Sequence, residues 1–292
     1  NAVSYEIALN LSAGMRYLLR IEFNLAGNSY EGYVKATFNL NSIPDDLAID
    51  AHGKIKVFGK FLIDFVVNTI NKIIINNCSQ DPAELYASHA VRLPQELLQN
   101  KMNVVQIYFR NDYSKDGSGL NSVLDPNHVI KLFENDCDYL IPIAAISLDA
   151  EAPANTHSIF PCFDQPGIRA TFKLFALVPQ QWNLISNGIY ISCWSILNCL
   201  SFATVEQASS VYRASTNIYS RFGFNEDFSS FKMTWEFNET PPLSPYLFTI
   251  CAGPFEEIPC VNSYKQLKMS IFCRKGVKNL AKETAEVTPK TD

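Results

Sequence analysis

Apolar and polar residues alternate with a period of two along much of the chain, the pattern of half-buried β-strands. Val3, Tyr5, Ile7 and Leu9 alternate with Ser4, Glu6, Ala8 and Asn10. The pattern returns over residues 17–23. It returns again over 33–40, where Tyr33, Lys35, Thr37 and Asn39 alternate with Val34, Ala36, Phe38 and Leu40. Gly27-Asn28 marks a turn between these two stretches, so they read as antiparallel neighbours. Further strands are predicted over 104–110, 140–148, 170–178, 211–214, 231–237, 246–252 and 267–273.

Residues 58–75 fit strand or helix at their start, but Ile70, Ile73, Ile74 and Ile75 are β-branched and make the end a strand. Pro94-Gln95-Glu96-Leu97-Leu98 predicts a short helical turn with proline near its start. Residues 112–122 read as a polar loop. Turns fall at Pro166-Gly167, Asn187-Gly188, Pro241-Pro242 and Gly253-Pro254. No internal repeat and no sustained amphipathic helix precedes residue 276. Over 276–292, Lys, Glu, Thr and Ala replace the core formers, which predicts a linker or the entry to a helix. Many short strands with few helices predict an all-β domain, built as a sandwich or a twisted set of sheets.

Composition agrees with a packed β domain. Hydrophobic residues make up 47% of the 292 and charged residues 18%, which excludes a disordered chain. The 20 Phe and 13 Tyr suit pleated surfaces. A net charge of −5 leaves no overall basic balance to neutralise phosphates, so nucleic-acid binding is disfavoured. The stretch 174–205 carries no charged side chain. It is broken by Pro179, Gln180, Gln181, Asn183, Asn187, Gly188 and Asn198, so buried strands explain it better than a membrane span. The chain opens on Asn1 with no leader pattern after it, and reads as a processed product or a piece of a longer one. The 8 Cys include no Cys-x-x-Cys pair and are read mostly as buried free thiols. Sequons at Asn10, Asn77 and Asn238 are no more than chance supplies. The sequence leaves the compartment open, with a soluble cytoplasmic location ahead of an extracellular one.

A zinc hydrolase of the His-Glu-x-x-His type needs two imidazoles one helical turn apart, beside a Glu that activates water. None of His52, His89, His128 and His157 begins such a motif. No P-loop, no Gly-x-Ser-x-Gly elbow and no Gly-x-Gly-x-x-Gly fingerprint occurs. The four histidines are therefore read as surface or core-satisfied residues.

The stretch Ile159-Phe160-Pro161-Cys162-Phe163-Asp164-Gln165-Pro166-Gly167 reads as a rigid corner. Pro161 and Pro166 bracket it and push the residues before them out of the helical region. Asp164 stands between them, where its carboxylate can accept backbone N–H groups and lock the turn. Ile168, Ala170, Phe172 and Leu174 then alternate with Arg169, Thr171 and Lys173, so a strand follows.

Phe160, Pro161, Cys162, Asp164 and Pro166 closely resemble the Phe-Pro-Cys-x-Asp-x-Pro signature in the amino-terminal domain of the M1 zinc aminopeptidases. Other segments resemble that family in order: residues 3–9 its first strand, Ile185-Ser186-Asn187-Gly188 a Ser-Asn turn, Thr240-Pro241-Pro242-Leu243-Ser244-Pro245-Tyr246-Leu247 a strand entry, Ala252-Gly253-Pro254-Phe255 the segment after it, and Ile271-Phe272-Cys273-Arg274-Lys275 the last strand before the catalytic domain. The resemblance covers nearly the whole chain.

It implies a large saddle-like β-sandwich of mostly antiparallel strands over 1–274, with 275–292 a linker or the start of a catalytic domain. It also implies a role in shaping the peptide cleft of that domain, which in the family carries the zinc. No cofactor, metal ligand or catalytic residue is assigned to this chain, and its expected partners are the catalytic domain and peptide substrates. The family places Gln-x-Gln or Gln-x-Glu just upstream of the signature, its second member holding the substrate's amine. Those positions hold Ala150 and Ala152 here. Glu151 lies one residue out of register; a local shift brings its carboxylate to the amine site, while the simpler reading is loss of that ligand. A module with no catalytic function of its own, used for binding or as a scaffold, is the alternative function.

Overall fold

Met15, Tyr17, Leu19, Ile21 and Phe23 are all buried, so the period-two pattern of the sequence becomes one inward face of a strand. The computed structural model describes residues 14–24, 28–41, 48–49, 55–56, 61–114, 119–123, 139–142, 155–179, 182–194, 232–260, 269–274 and 277–287. Its chain order begins with β1 (Met15–Asn24), β2 (Ser29–Asn39), β3 (Ala48–Ile49), β4 (Ile55–Lys56), β5 (Phe61–Asp64), β6 (Thr69–Ile75) and β7 (Cys78–Gln80). A four-residue helix, α1 (Pro82–Leu85), leads to β8 (Tyr86–Ala87), β9 (Ala90–Leu93) and β10 (Met102–Asp112). Then come β11 (Leu120–Val123), β12 (Tyr139–Pro142), β13 (Ala170–Pro179), β14 (Asn183–Ser186) and β15 (Tyr190–Trp194). The described chain closes with β16 (Lys232–Phe237), β17 (Ile250–Gly253), β18 (Phe255–Pro259), β19 (Ser270–Arg274) and α2 (Lys278–Val287).

The largest sheet has eight strands in the order β15-β16-β13-β1-β2-β10-β6-β7. Only the β1–β13 pair in it is parallel. Register places Tyr17 beside both Ala36 and Phe172, and Leu19 beside both Val34 and Leu174. One face of the sheet is thereby continuously apolar. A three-stranded sheet, β5-β9-β8, and a four-stranded sheet, β11-β12-β17-β14, contribute to the same core. Aromatic rings join the layers: Phe38 of β2 meets Phe61 of β5 at 5.7 Å, and Phe109 of β10 meets Phe65 at 4.8 Å. Phe172 of β13 meets Phe248, just before β17, at 5.1 Å. The fold is the all-β sandwich of mostly antiparallel strands that the sequence predicts.

A second, smaller cluster lies apart from this core. Ile258 of β18, Cys273 of β19, and Ala281 and Ala285 of α2 are buried together. The end of the sequence is thus helical over Lys278–Val287, one of the two alternatives its composition allowed.

Three expectations need correction. The strand predicted over 246–252 starts only at Ile250, because Pro245–Leu247 forms a 3-10 turn. Pro245 presets that turn through its fixed φ. The polar loop predicted over 112–122 gives way to β11, a strand too short to show a period, with Leu120 and Asn121 buried. Gly253-Pro254 separates two strands, of which β18 went unpredicted. Within 174–205 the described residues form the end of β13, then β14 and β15; no helix among them is long and apolar enough to cross a membrane. The predicted strands at 3–9 and 211–214 and the end of the one at 140–148 lie outside the described residues.

Candidate functional site

The proline-bracketed corner is fastened from three sides, by Asp64, His157 and Tyr17. Cys162 and Asp64 exchange two backbone hydrogen bonds, at 2.9 and 3.1 Å, which splices the corner onto the end of β5. The Asp64 carboxylate accepts the Asp164 N–H at 3.2 Å. Asp164 in turn accepts from His157 twice, from its backbone N–H at 3.1 Å and at Nδ1 at 2.7 Å. On the sheet side the Tyr17 hydroxyl accepts the Phe163 N–H at 2.9 Å. The Asp164 carboxylate thus accepts a backbone N–H, that of His157 in the turn before the corner.

Two more of the sequence segments singled out above close around the strand that leaves the corner. Ala170 and Leu243 exchange a pair of backbone bonds, both at 3.0 Å. Thr240 Oγ1 accepts the Phe172 N–H at 3.0 Å, and the Ser244 hydroxyl donates to the Pro166 carbonyl at 2.7 Å. Asn187 donates to the Leu247 carbonyl at 2.8 Å and accepts the Thr249 N–H. Gly188 follows, where a Cβ would lie 2.6 Å from the Asn238 carbonyl oxygen; only glycine lets the two backbones approach so closely. Segments separated by up to eighty positions thus form one knot.

Burial decides what this knot can do chemically. Phe160, Pro161, Cys162 and Asp164 are buried, and Pro166 is exposed at the turn. The Cys162 thiol is pushed well up by burial and further by Asp164 and Asp64, so it is no nucleophile. Burial likewise raises the Tyr17 phenol well above its ordinary range. The Asp64 carboxyl is raised by burial, partly offset by the Asp164 N–H and His157. His157 is raised chiefly by its hydrogen bond to Asp164. The carboxylates of the corner and the His157 imidazole are thus engaged with one another and with backbone N–H groups.

Sequence reasoning missed His157, Asp64 and Tyr17. Asp64 and Tyr17 stand 100 and 146 positions from their corner partners, beyond any local spacing, while His157 stands 7 from Asp164 at a spacing that matches no motif. Cys78, Cys162, Cys251, Cys260 and Cys273 are free thiols, but among them only Cys162 and Cys273 are buried, Cys251 and Cys260 being half-buried and Cys78 exposed, so the expectation of mostly buried thiols is not met there. Ala150, Glu151 and Ala152 lie outside the described residues. Among the described residues no three His, Cys, Asp or Glu side chains are grouped to hold a metal ion.

An aminopeptidase N of Streptomyces lividans is 24% identical over 218 residues, which are 74% of this chain. The chain covers 19% of that relative's length. Residues 13–210 match the Peptidase M1 N-terminal domain, a span that includes the whole proline-bracketed corner. The chain belongs to the Peptidase M1 N-terminal domain family.

Proposed function

We propose that the chain acts as the amino-terminal β-domain of a zinc metallo-aminopeptidase. In that role it packs on the catalytic domain and helps shape the peptide-substrate cleft, without hydrolysing peptides by itself. The match of residues 13–210 carries this reading. The corner supports it, because its acids and imidazole bond to one another and its thiol is buried, which suits a shaping element. The zinc of the parent family finds no ligand set among the described residues, so no step of hydrolysis is assigned to them.

This reading takes 1–274 as the domain and α2 as the lead into the catalytic domain. Ile189, Tyr190, Ile191 and Leu247 are exposed, and the Asn187–Leu247 bond holds them near one another. An apolar surface of this kind suits a domain contact. Glu151, upstream of the corner in sequence, is the candidate for the substrate's amine if a local shift brings it into register; without that shift the ligand is lost.

The purified chain is expected to bind no stoichiometric zinc and to release no amino-acid chromogen. Zinc-dependent release from that sample would overturn the proposal. Added to a zinc-loaded M1 catalytic domain, the chain should gain amide protection around residues 187–191 and 245–249. Absence of that protection would favour the second reading, a binding or scaffold module with no catalytic function, which Ala150 and Ala152 at the family's amine-side positions support.

A further inference from the structure

His157 sits where the corner meets water. A quarter of its side chain is exposed, at 25%, against 3% for Asp164. The imidazole Nδ1 and the backbone N–H of this one residue both engage Asp164 Oδ2. Its carbonyl accepts the Val66 N–H at 2.9 Å. The next two carbonyls of the same turn are also held: Ile159 accepts the Tyr30 hydroxyl at 2.9 Å, and Ser158 accepts Asn111 Nδ2 at 3.3 Å. The short turn Thr156–Ser158 therefore bridges the signature corner to β2, to β10 and to the chain leaving β5.

We propose that the His157–Asp164 pair is a pH-operated latch on this corner. The protonated imidazole holds the 156–158 turn closed, and its deprotonation loosens that turn while the sheets stay folded.

Among the described residues, the charges acting on the imidazole are both carboxylates, Asp164 on the corner and Asp64 on β5. Behind them lie the Cys162 thiol and the Tyr17 hydroxyl, and the Tyr30 hydroxyl bonds to the far side of the turn. Burial raises both phenols and the thiol, so all three are neutral through the range in which an imidazole titrates. Two acids draw the proton to His157 and burial opposes them; the acids prevail, and its pKa stands above the ordinary 6.5.

The sign follows from linkage. A folded imidazole that holds its proton more tightly than a free one gives stability that is fully present below 6.5. That stability is lost as pH rises through the higher folded value. Neutral His157 can still donate Nδ1–H to Asp164 but forfeits the attraction of both carboxylates, so the latch slackens rather than breaks. Opening of the turn must grow about tenfold for each unit by which the folded pKa exceeds the free one.

An NMR titration of the full chain, with the His157 ring assigned through its backbone, measures that pKa directly. Hydrogen exchange at the Val66 amide, corrected for intrinsic rates, measures the opening over about pH 6 to 9. Val66 protection should fall by the factor that the measured pKa predicts, while the Leu174 amide of β13 stays protected. His157→Arg should hold protection constant across that range, and His157→Gln should hold it at the lower level of the wild type at high pH. A His157 pKa at or below 6.5, or a Val66 pH dependence that survives in His157→Gln, would overturn the latch. The wild-type titration decides the matter even where a variant fails to fold.

Discussion

The Tyr17 hydroxyl of β1 accepts the Phe163 N–H of the corner at 2.9 Å, across 146 positions of sequence. The ring that carries this hydroxyl stacks on Phe172 at 5.1 Å and meets Phe160 edge-on at 6.3 Å. One side chain thus supplies packing to the strand after the corner and a polar anchor to the corner itself. Tyr17→Phe keeps the ring and strands a buried N–H, which costs about 1–3 kcal/mol. Urea denaturation should show a lower midpoint with an unchanged slope. An unchanged midpoint would mean that water or another group satisfies Phe163, and the anchor would lose its meaning.

Much of the sheet was legible because its strands carry their own pattern. In β1, β2, β10 and β13, alternate apolar side chains were enough to set both the element and its inward face. Asp164 stands out for a different reason: a carboxylate between two prolines can accept backbone N–H groups, and this one accepts that of His157. What stayed hidden was long-range or short. Asp64 and Tyr17 act through partners that no local window contains, His157 bonds to Asp164 at a spacing that matches no motif, and β8, β11 and β18 are too brief to show a period. The family resemblance singles out the 159–174, 185–188 and 240–247 segments, but that they bond to one another is seen only in the folded chain.

Gly32 of β2 is paired with Phe109 of β10, and the ring lies over the glycine. A Cβ at position 32 would come 2.1 Å from Phe109 Cζ. Gly32→Ala must therefore push aside a ring that also packs on Phe65 and Tyr30. Overpacking of this kind costs about 1–3 kcal/mol. Thermal unfolding should show the loss, and Phe109→Leu combined with Gly32→Ala should destabilise less than the two single changes added together. Strict additivity would show that the ring and the glycine are not in conflict.

Asp64 gives a pH dependence of its own. Burial raises its carboxyl above the ordinary 3.8, so the folded state holds that proton more tightly than the unfolded chain. The stability this adds is fully present below 3.8 and is lost as pH rises through the folded value. At neutral pH the ionised side chain is thus a net burden on the fold. Asp64→Asn keeps an oxygen for the Asp164 N–H and removes the charge. Its denaturation midpoint should equal or exceed that of the wild type at neutral pH, with the advantage shrinking towards acid. A variant markedly weaker at neutral pH would show that the attraction between Asp64 and His157 outweighs the burial of the carboxylate.

The small cluster under α2 predicts a separation of stabilities. Ala281 and Ala285 pack on Ile258 and Cys273, whereas Leu280 on the same helix is 66% exposed. Helices this short are marginal without a packed face, so α2 depends on those two methyl groups and on the Lys278–Glu256 ion pair at its start. Ala285→Asp puts an unpaired charge into the contact and should free the helix from the β18–β19 hairpin. Limited trypsin treatment should then cut at Lys278 and Lys282 well before it cuts the large sheet. The main unfolding midpoint should hardly move, because the residues of the small cluster are separate from the large core. A fall in that midpoint matching the loss of the helix would mean that hairpin and sandwich unfold as one unit.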